Sequence, residues 1–170
     1  NTDIYEMNLK TQEMERLTNY PGIDTAPSYS PDGDFITFES DRSGSQKIYV
    51  MSLKTKKIKR ISFGKGKYAT PVWSPRGDLI AFTKQLGGEF YIGVMYTDGK
   101  GERVVYKSYL VEGPTWSPNG RVLSFYSQTK FSKGKISSPK IKLVDLTGTN
   151  LRQLITPTDA SDPSWSGLLP

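Results

Sequence analysis

No cysteine and no histidine occurs among the 170 residues. Without cysteine, no disulfide staples the fold and no thiolate serves as nucleophile or metal ligand. Without histidine, the commonest general base, the commonest metal ligand and the physiological-pH switch are all missing. No apolar run approaches the roughly 18 to 20 residues that a membrane-spanning helix needs. The opening stretch, Asn1 to Lys10, has neither the charge nor the apolar core of a secretory leader, and a processed chain would open the same way. Hydrophobic residues make up only 35%, yet aromatics reach 12%, enough to fill the core of one modest domain. That aromatic content argues against disorder of the whole chain. The net charge is +6. A basic excess is compatible with nucleic acid or an anionic surface, and equally with ordinary solubility charge.

What the sequence does have is repetition. A Pro-x-aromatic-Ser motif stands at Pro27 to Ser30, Pro71 to Ser74, Pro114 to Ser117 and Pro163 to Ser166. Its aromatic is Tyr29, Trp73, Trp116 or Trp165, at intervals of 44, 43 and 49 residues. The longest interval holds a Gly/Ser/Lys-rich insert, Ser132 to Pro139. Three of the motifs run into a proline–glycine turn and then a short apolar strand: Asp34 to Ser40, Asp78 to Lys84 and Arg121 to Ser127. Consecutive residues of each strand are apolar, so both of its faces need cover. A third strand is expected over 47–53, 91–97 and 140–146, and a fourth over 58–62, 102–106 and 151–155. The chain opens on a pair of the same kind, 3–9 and 14–18.

Four short strands in about 44 residues is the pattern of a β-propeller blade. The expected fold is all-β, with four-stranded antiparallel blades. A β-solenoid is the competing repeat fold, although its coils are usually shorter. The blades divide the chain into 1–22 (the outer half of a blade), 23–66, 67–110, 111–159 and a closing inner strand, 160–170. Each motif aromatic is expected to begin an innermost strand and to fill the wedge between blades. Three full repeats do not close a ring. Either the chain is part of a larger propeller, or two copies join their halves. In both cases the isolated chain should self-associate or be unstable.

Catalytic and ligand motifs are sparse. No Gly-x-Ser-x-Gly elbow is present, and a serine has no histidine to activate it. The glycines of Phe63 to Tyr68 lack the spacing and the helix of a phosphate loop. Ser30 to Asp34 lacks the alternating oxygens of a calcium loop. The basic run Leu53 to Arg60 has no interleaved aromatics, so edge charge explains it better than nucleic-acid binding. No catalytic residue, metal site or cofactor is expected. The reading is a rigid binding platform whose loops converge on a central channel.

The repeat Pro-x-Trp-Ser-Pro-x-Gly, followed by a strand and then by Ile-Tyr-x-Met, resembles the WD40-like propeller repeat of the TolB family. The same repeat occurs in prolyl-oligopeptidase-type peptidases, whose substrate-gating propeller is the alternative reading. The closing stretch Asp162 to Pro170 favours TolB, although Gly167 stands where proline is usual and Tyr29 replaces tryptophan. The resemblance implies the C-terminal half of a six-bladed ring and a periplasmic, non-enzymatic protein of the Tol–Pal system. It implies binding of the lipoprotein Pal at one end of the channel, in support of outer-membrane integrity and constriction at division. Colicins would exploit the same surface. TolA contact would belong to an N-terminal part outside this chain. Neither nucleic acid nor membrane insertion is implied. Carried over by position, the Pal-facing residues are Thr25, Ala26, Lys67, Tyr68, Ala69, Thr70, Glu112, Gly113, Ser161 and Asp162. Glu112 and Asp162 are candidates to pair with basic groups or to hold a cation. Sugar or polyanion binding at the channel rests on the positive charge alone.

Overall fold

The computed structural model describes residues 1–166; Gly167 to Pro170, the end of the closing motif, lie outside the described residues. Strands β1 (Tyr5–Met7) and β2 (Met14–Arg16) pair alone. The next sheet holds β3 (Asp24–Tyr29), β4 (Phe35–Ser40), β5 (Lys47–Ser52) and β6 (Ile58–Arg60). A second four-stranded sheet holds β7 (Lys67–Trp73), β8 (Leu79–Leu86), β9 (Glu89–Tyr96) and β10 (Arg103–Ser108). The third holds β11 (Leu110–Trp116), β12 (Val122–Gln128), β13 (Lys140–Asp145) and β14 (Arg152–Gln153). Every pairing within the sheets is antiparallel between chain neighbours. The fold is an all-β propeller of four-stranded blades, present as part of a ring. A 3-10 turn, Ser132–Gly134, lies in the insert.

The cores lie in the gaps between sheets. Ile4 and Leu17 meet Ile36, Phe38, Tyr49 and Met51 in the first gap. Ile48 and Ile61 meet Tyr68, Trp73, Ile80, Phe82 and Met95 in the second. Ala81, Ile92, Val94 and Val105 meet Val111, Trp116, Leu123, Phe125 and Val144 in the third. Each second strand is therefore buried on both faces, as its apolar run requires. Phe38, Phe82 and Phe125 are fully buried, which stabilises by roughly 1.5–3 kcal/mol apiece. The turns into these strands share one bond, from the glycine N–H back to the motif serine carbonyl: Gly33 to Ser30, Gly77 to Ser74 and Gly120 to Ser117. Positive φ at these glycines explains the residue type.

One expectation is corrected. The motif aromatic ends the innermost strand rather than beginning it. Pairing starts five or six residues earlier, at Asp24, Lys67 and Leu110. Proline looks like a strand boundary because it has no N–H, but here it occupies a bulge on the sheet edge. The aromatics do reach the preceding sheet. Trp116 Nε1 donates to the Val72 carbonyl at 3.0 Å, and the Trp73 amide donates to Ser28 Oγ at 3.0 Å. Trp73 also stacks with Phe35. Tyr29 and Trp165 stay substantially exposed, at 49% and 38%. Residues 160–166 form no strand; the Ala160 amide donates to the Pro139 carbonyl at 3.3 Å.

Candidate functional site

Each innermost strand carries one bulge at the same place. Thr25 faces Glu39 and Ser28 faces Thr37, so the strand holds one extra residue between them. The same shift lies between Ala69 and Val72, and between Glu112 and Thr115. The residue before the motif proline is left-handed in all four repeats: Ala26 (φ 52°), Thr70 (φ 45°), Gly113 (φ 66°) and Asp162 (φ 51°). Three of these are not glycine. A side chain in this region is uncommon, and such strain costs about 1–3 kcal/mol per residue. The following proline also disfavours helical backbone at that position. Only an imposed geometry keeps four such residues in step.

A second row of side chains holds the bulges. Glu39 on β4 is buried and accepts from Thr25 Oγ1 at 2.8 Å. Its other oxygen accepts from the Thr70 backbone amide, on the next sheet, at 2.9 Å. Glu39 thus fastens two neighbouring bulges. The equivalent residue on β8 is Thr83, whose hydroxyl lies 2.8 Å from Thr70 Oγ1. On β12 it is Tyr126, which donates to Glu112 Oε2 at 3.1 Å. Burial, then the charge and bond of Glu112, then the charge of Asp162 push the Tyr126 hydroxyl up to about 12. The charges of Glu112 and Asp162 thus both act on one phenol. Ser161 Oγ donates to Asp162 Oδ2 at 2.6 Å. No cluster of three or more Asp or Glu suited to a metal occurs among the described residues.

The structure places Thr25, Ala26, Ala69, Thr70, Glu112 and Gly113 at the three bulges, whereas Asp162, beside Ser161, shares the left-handed backbone but lies outside any strand. Lys67 is exposed at the start of β7. Tyr68 is placed differently: it is fully buried, with its ring 5.3 Å from Phe82. Its hydroxyl donates to Glu102 at 2.7–2.8 Å. Lys84 Nζ donates to Glu102 at 2.6 Å and lies 4.7 Å from the Tyr68 ring centre. Lys47 Nζ lies 4.8 Å from that centre and donates to the Gly64 and Gly66 carbonyls. Tyr68 offers no surface to a partner; it anchors the strand beneath the bulge. Glu39, Thr83 and Tyr126 escaped the sequence reading. Their signal is the place after the repeated phenylalanine, where Glu39 interrupts an apolar run.

A family model described as the TolB beta propeller domain matches residues 1–169. The chain belongs to the TolB β-propeller family. "Tol-Pal system protein TolB" of Zymomonas mobilis is 58% identical over 85 residues, half of this chain and 18% of that protein. The protein of the same name from Pelagibacter ubique is 63% identical over 74 residues, 43% of this chain and 17% of that protein. A crystal structure of TolB from Acinetobacter baumannii superposes with a TM-score of 0.77 at 26% identity. It covers 94% of this chain, which spans only 39% of that structure. The matches to the two named relatives thus span less than a fifth of each one's length. Four of the residues named from the motif resemblance, Ala26, Thr70, Gly113 and Asp162, are those with left-handed backbone.

Proposed function

We propose that the chain is the partner-binding part of a non-enzymatic, periplasmic TolB-type propeller. On this reading it engages the peptidoglycan-associated lipoprotein Pal and so supports outer-membrane integrity and constriction during division. A TolA contact belongs to parts of the parent protein beyond this chain, and colicins compete for the same surface. The carrying observation is the left-handed residue before every motif proline, set at a bulge within the innermost strand in three repeats and outside any strand at Asp162. Strain repeated at one position is a mark of a functional surface rather than of stability. The row presents different chemistry in each repeat: methyl at Ala26, hydroxyl at Thr70, bare backbone at Gly113 and carboxylate at Asp162. Such variation on a constant frame supports recognition of an asymmetric protein partner.

The test is calorimetry of the full-length parent with purified Pal, for wild type and for Glu112→Lys with Asp162→Lys. Wild type should bind, and the double variant should bind at least tenfold more weakly. No binding by wild type would remove the partner. Unchanged affinity in the variant would remove the surface.

A further inference from the structure

Each gap between neighbouring sheets holds a cation against aromatic rings. In the first gap the Arg42 guanidinium lies 5.1–5.3 Å from the ring centres of Tyr20, Phe38 and Tyr49. Its charge is met by Asp24 Oδ2 at 2.8 Å. In the second gap Lys84 lies against Tyr68, and its charge is met by Glu102 at 2.6 Å. In the third gap Lys142 Nζ lies 4.9 Å from the ring centre of Tyr106 and donates to its hydroxyl at 2.6 Å. Lys142 forms no ion pair among the described residues. A cation against aromatic rings recurs in all three gaps; Lys47, beside Tyr68 in the second, is met by the Gly64 and Gly66 carbonyls, whereas Lys142 has neither a carboxylate nor a carbonyl among the described residues.

The local chemistry is therefore unbalanced. An ammonium has three N–H donors, and the Tyr106 oxygen takes one. Tyr106 is braced by Phe125 at 4.9 Å, and its oxygen lies 3.3 Å from Ser127 Oγ. Burial pushes the phenol up, but the Lys142 and Ser127 bonds and the Lys142 charge outweigh it and leave Tyr106 below the ordinary tyrosine value. Tyr106 lines a cleft of about 470 Å³, with Glu89, Lys107, Tyr109 and Lys130 among its walls. Glu89 is already engaged by Lys107 at 3.3 Å and by the Tyr91 hydroxyl at 2.8 Å. Lys130 lies over Tyr109 at 5.4 Å and pairs with no carboxylate among the described residues. Lys130 on the wall of the cleft and Lys142, bonded to the Tyr106 hydroxyl, thus both lack a carboxylate among the described residues.

We propose that the third gap is a carboxylate-binding site, in which an external carboxylate supplies the counter-ion that Asp24 and Glu102 supply in the other two. The acceptor enters through the cleft and takes the free donors of Lys142, with Lys130 at the rim. Tyr109, on the wall of the cleft, adjoins the start of β11, the strand that carries Glu112 and the third bulge. The source is therefore an acidic side chain of the docked protein partner. That last step rests on the proposed function; the site itself does not.

The experiment labels the full-length parent with 3-fluorotyrosine and follows fluorine resonances, with Tyr106 assigned by its loss in Tyr106→Phe. Sodium acetate is titrated at constant ionic strength against sodium chloride. The Tyr106 resonance should move saturably with acetate and not with chloride. Lys142→Met should abolish the movement, and Lys142→Arg should retain it. No movement, or equal movement in Lys142→Met, overturns the site. Purified Pal is then added to the same sample. Movement of the same resonance, with at least tenfold weaker Pal binding by Lys142→Met, supports the partner as source. Pal binding that leaves the resonance still overturns that source and leaves a free carboxylate as the ligand. Absence of Pal binding speaks only against the proposed function, because the acetate titration is read independently.

Discussion

At the scale of single residues, the bulges set strain against hydrogen bonding. Thr70 is β-branched, left-handed and followed by proline, three features that oppose one another. Its amide is held by Glu39 from the neighbouring sheet. Gly113 meets the same backbone demand without strain, and a methyl group there would touch nothing within 4 Å. Gly113→Ala should therefore report strain alone, with a loss of about 1 kcal/mol in urea unfolding. Thr70→Gly should change stability by less than about 1 kcal/mol, because relieved strain offsets the added freedom of the unfolded chain. A large loss in Thr70→Gly would mean that the Thr70 side chain, through Thr83, matters more than its backbone. Glu39→Ala removes the acceptor for Thr25 and for the Thr70 amide. It should cost about 1–3 kcal/mol, and Glu39→Gln should recover part of that through its amide oxygen. Equal losses in the two variants would point to the Glu39 charge instead.

At the scale of strands and their gaps, most of the fold can be read from spacing. The second, third and fourth strands of each sheet follow from apolar runs separated by polar turns, the first of them a proline–glycine turn, and they fall within a few residues of where those runs lie. The first strand is harder. Its proline reads as a boundary, whereas a bulge lets the strand continue through it. The site is legible in part for the same reason: the residues before each motif stand out by position, but their left-handed backbone leaves no mark at Ala26 or Thr70. The gap networks leave still less. Tyr68 meets Glu102 across 34 residues, and Lys142 meets Tyr106 across 36, distances that no local pattern encodes. Tyr68 offers a direct measurement. Burial first, and then its bonds to Glu102, push its hydroxyl up to about 12, although Lys84 opposes this. An unfolded tyrosine titrates near 10. The folded state thus keeps the proton longer, so its stabilisation is complete below about pH 10 and is lost as pH rises toward 12. The loss should be on the order of 2–3 kcal/mol for this fully buried group. Unfolding free energies from pH 9 to 12 should fall less steeply for Tyr68→Phe than for wild type. Parallel curves would show that Tyr68 does not carry the dependence.

At the scale of the whole molecule, stability is a property of neighbours. Each sheet is covered by the next, and most of the buried side chains lie in the gaps rather than within one sheet. The flanks of the described structure therefore differ from its middle. Tyr5, Met7, Leu9 and Met14 are exposed on and beside β1 and β2, and Leu151, Leu154, Ile155 and Trp165 are exposed near β14. Ile155 is 97% exposed. Apolar side chains grouped in this way favour association, whereas scattered ones do not. Two copies can bring unlike flanks together, a head-to-tail contact that either closes or propagates, or can pair like flanks about a two-fold axis. A chain of these 170 residues should accordingly sediment above its monomer mass at tens of micromolar. Ile155→Lys combined with Met14→Lys places a charge on each flank and should return it to the monomer, without disturbing the buried gaps. A wild-type chain that stays monomeric across that range would show that these exposed side chains do not form an adhesive face. An associating double variant would place the contact elsewhere, with the basic outer edge of β6 and the exposed Val104 on β10 the next surfaces to alter.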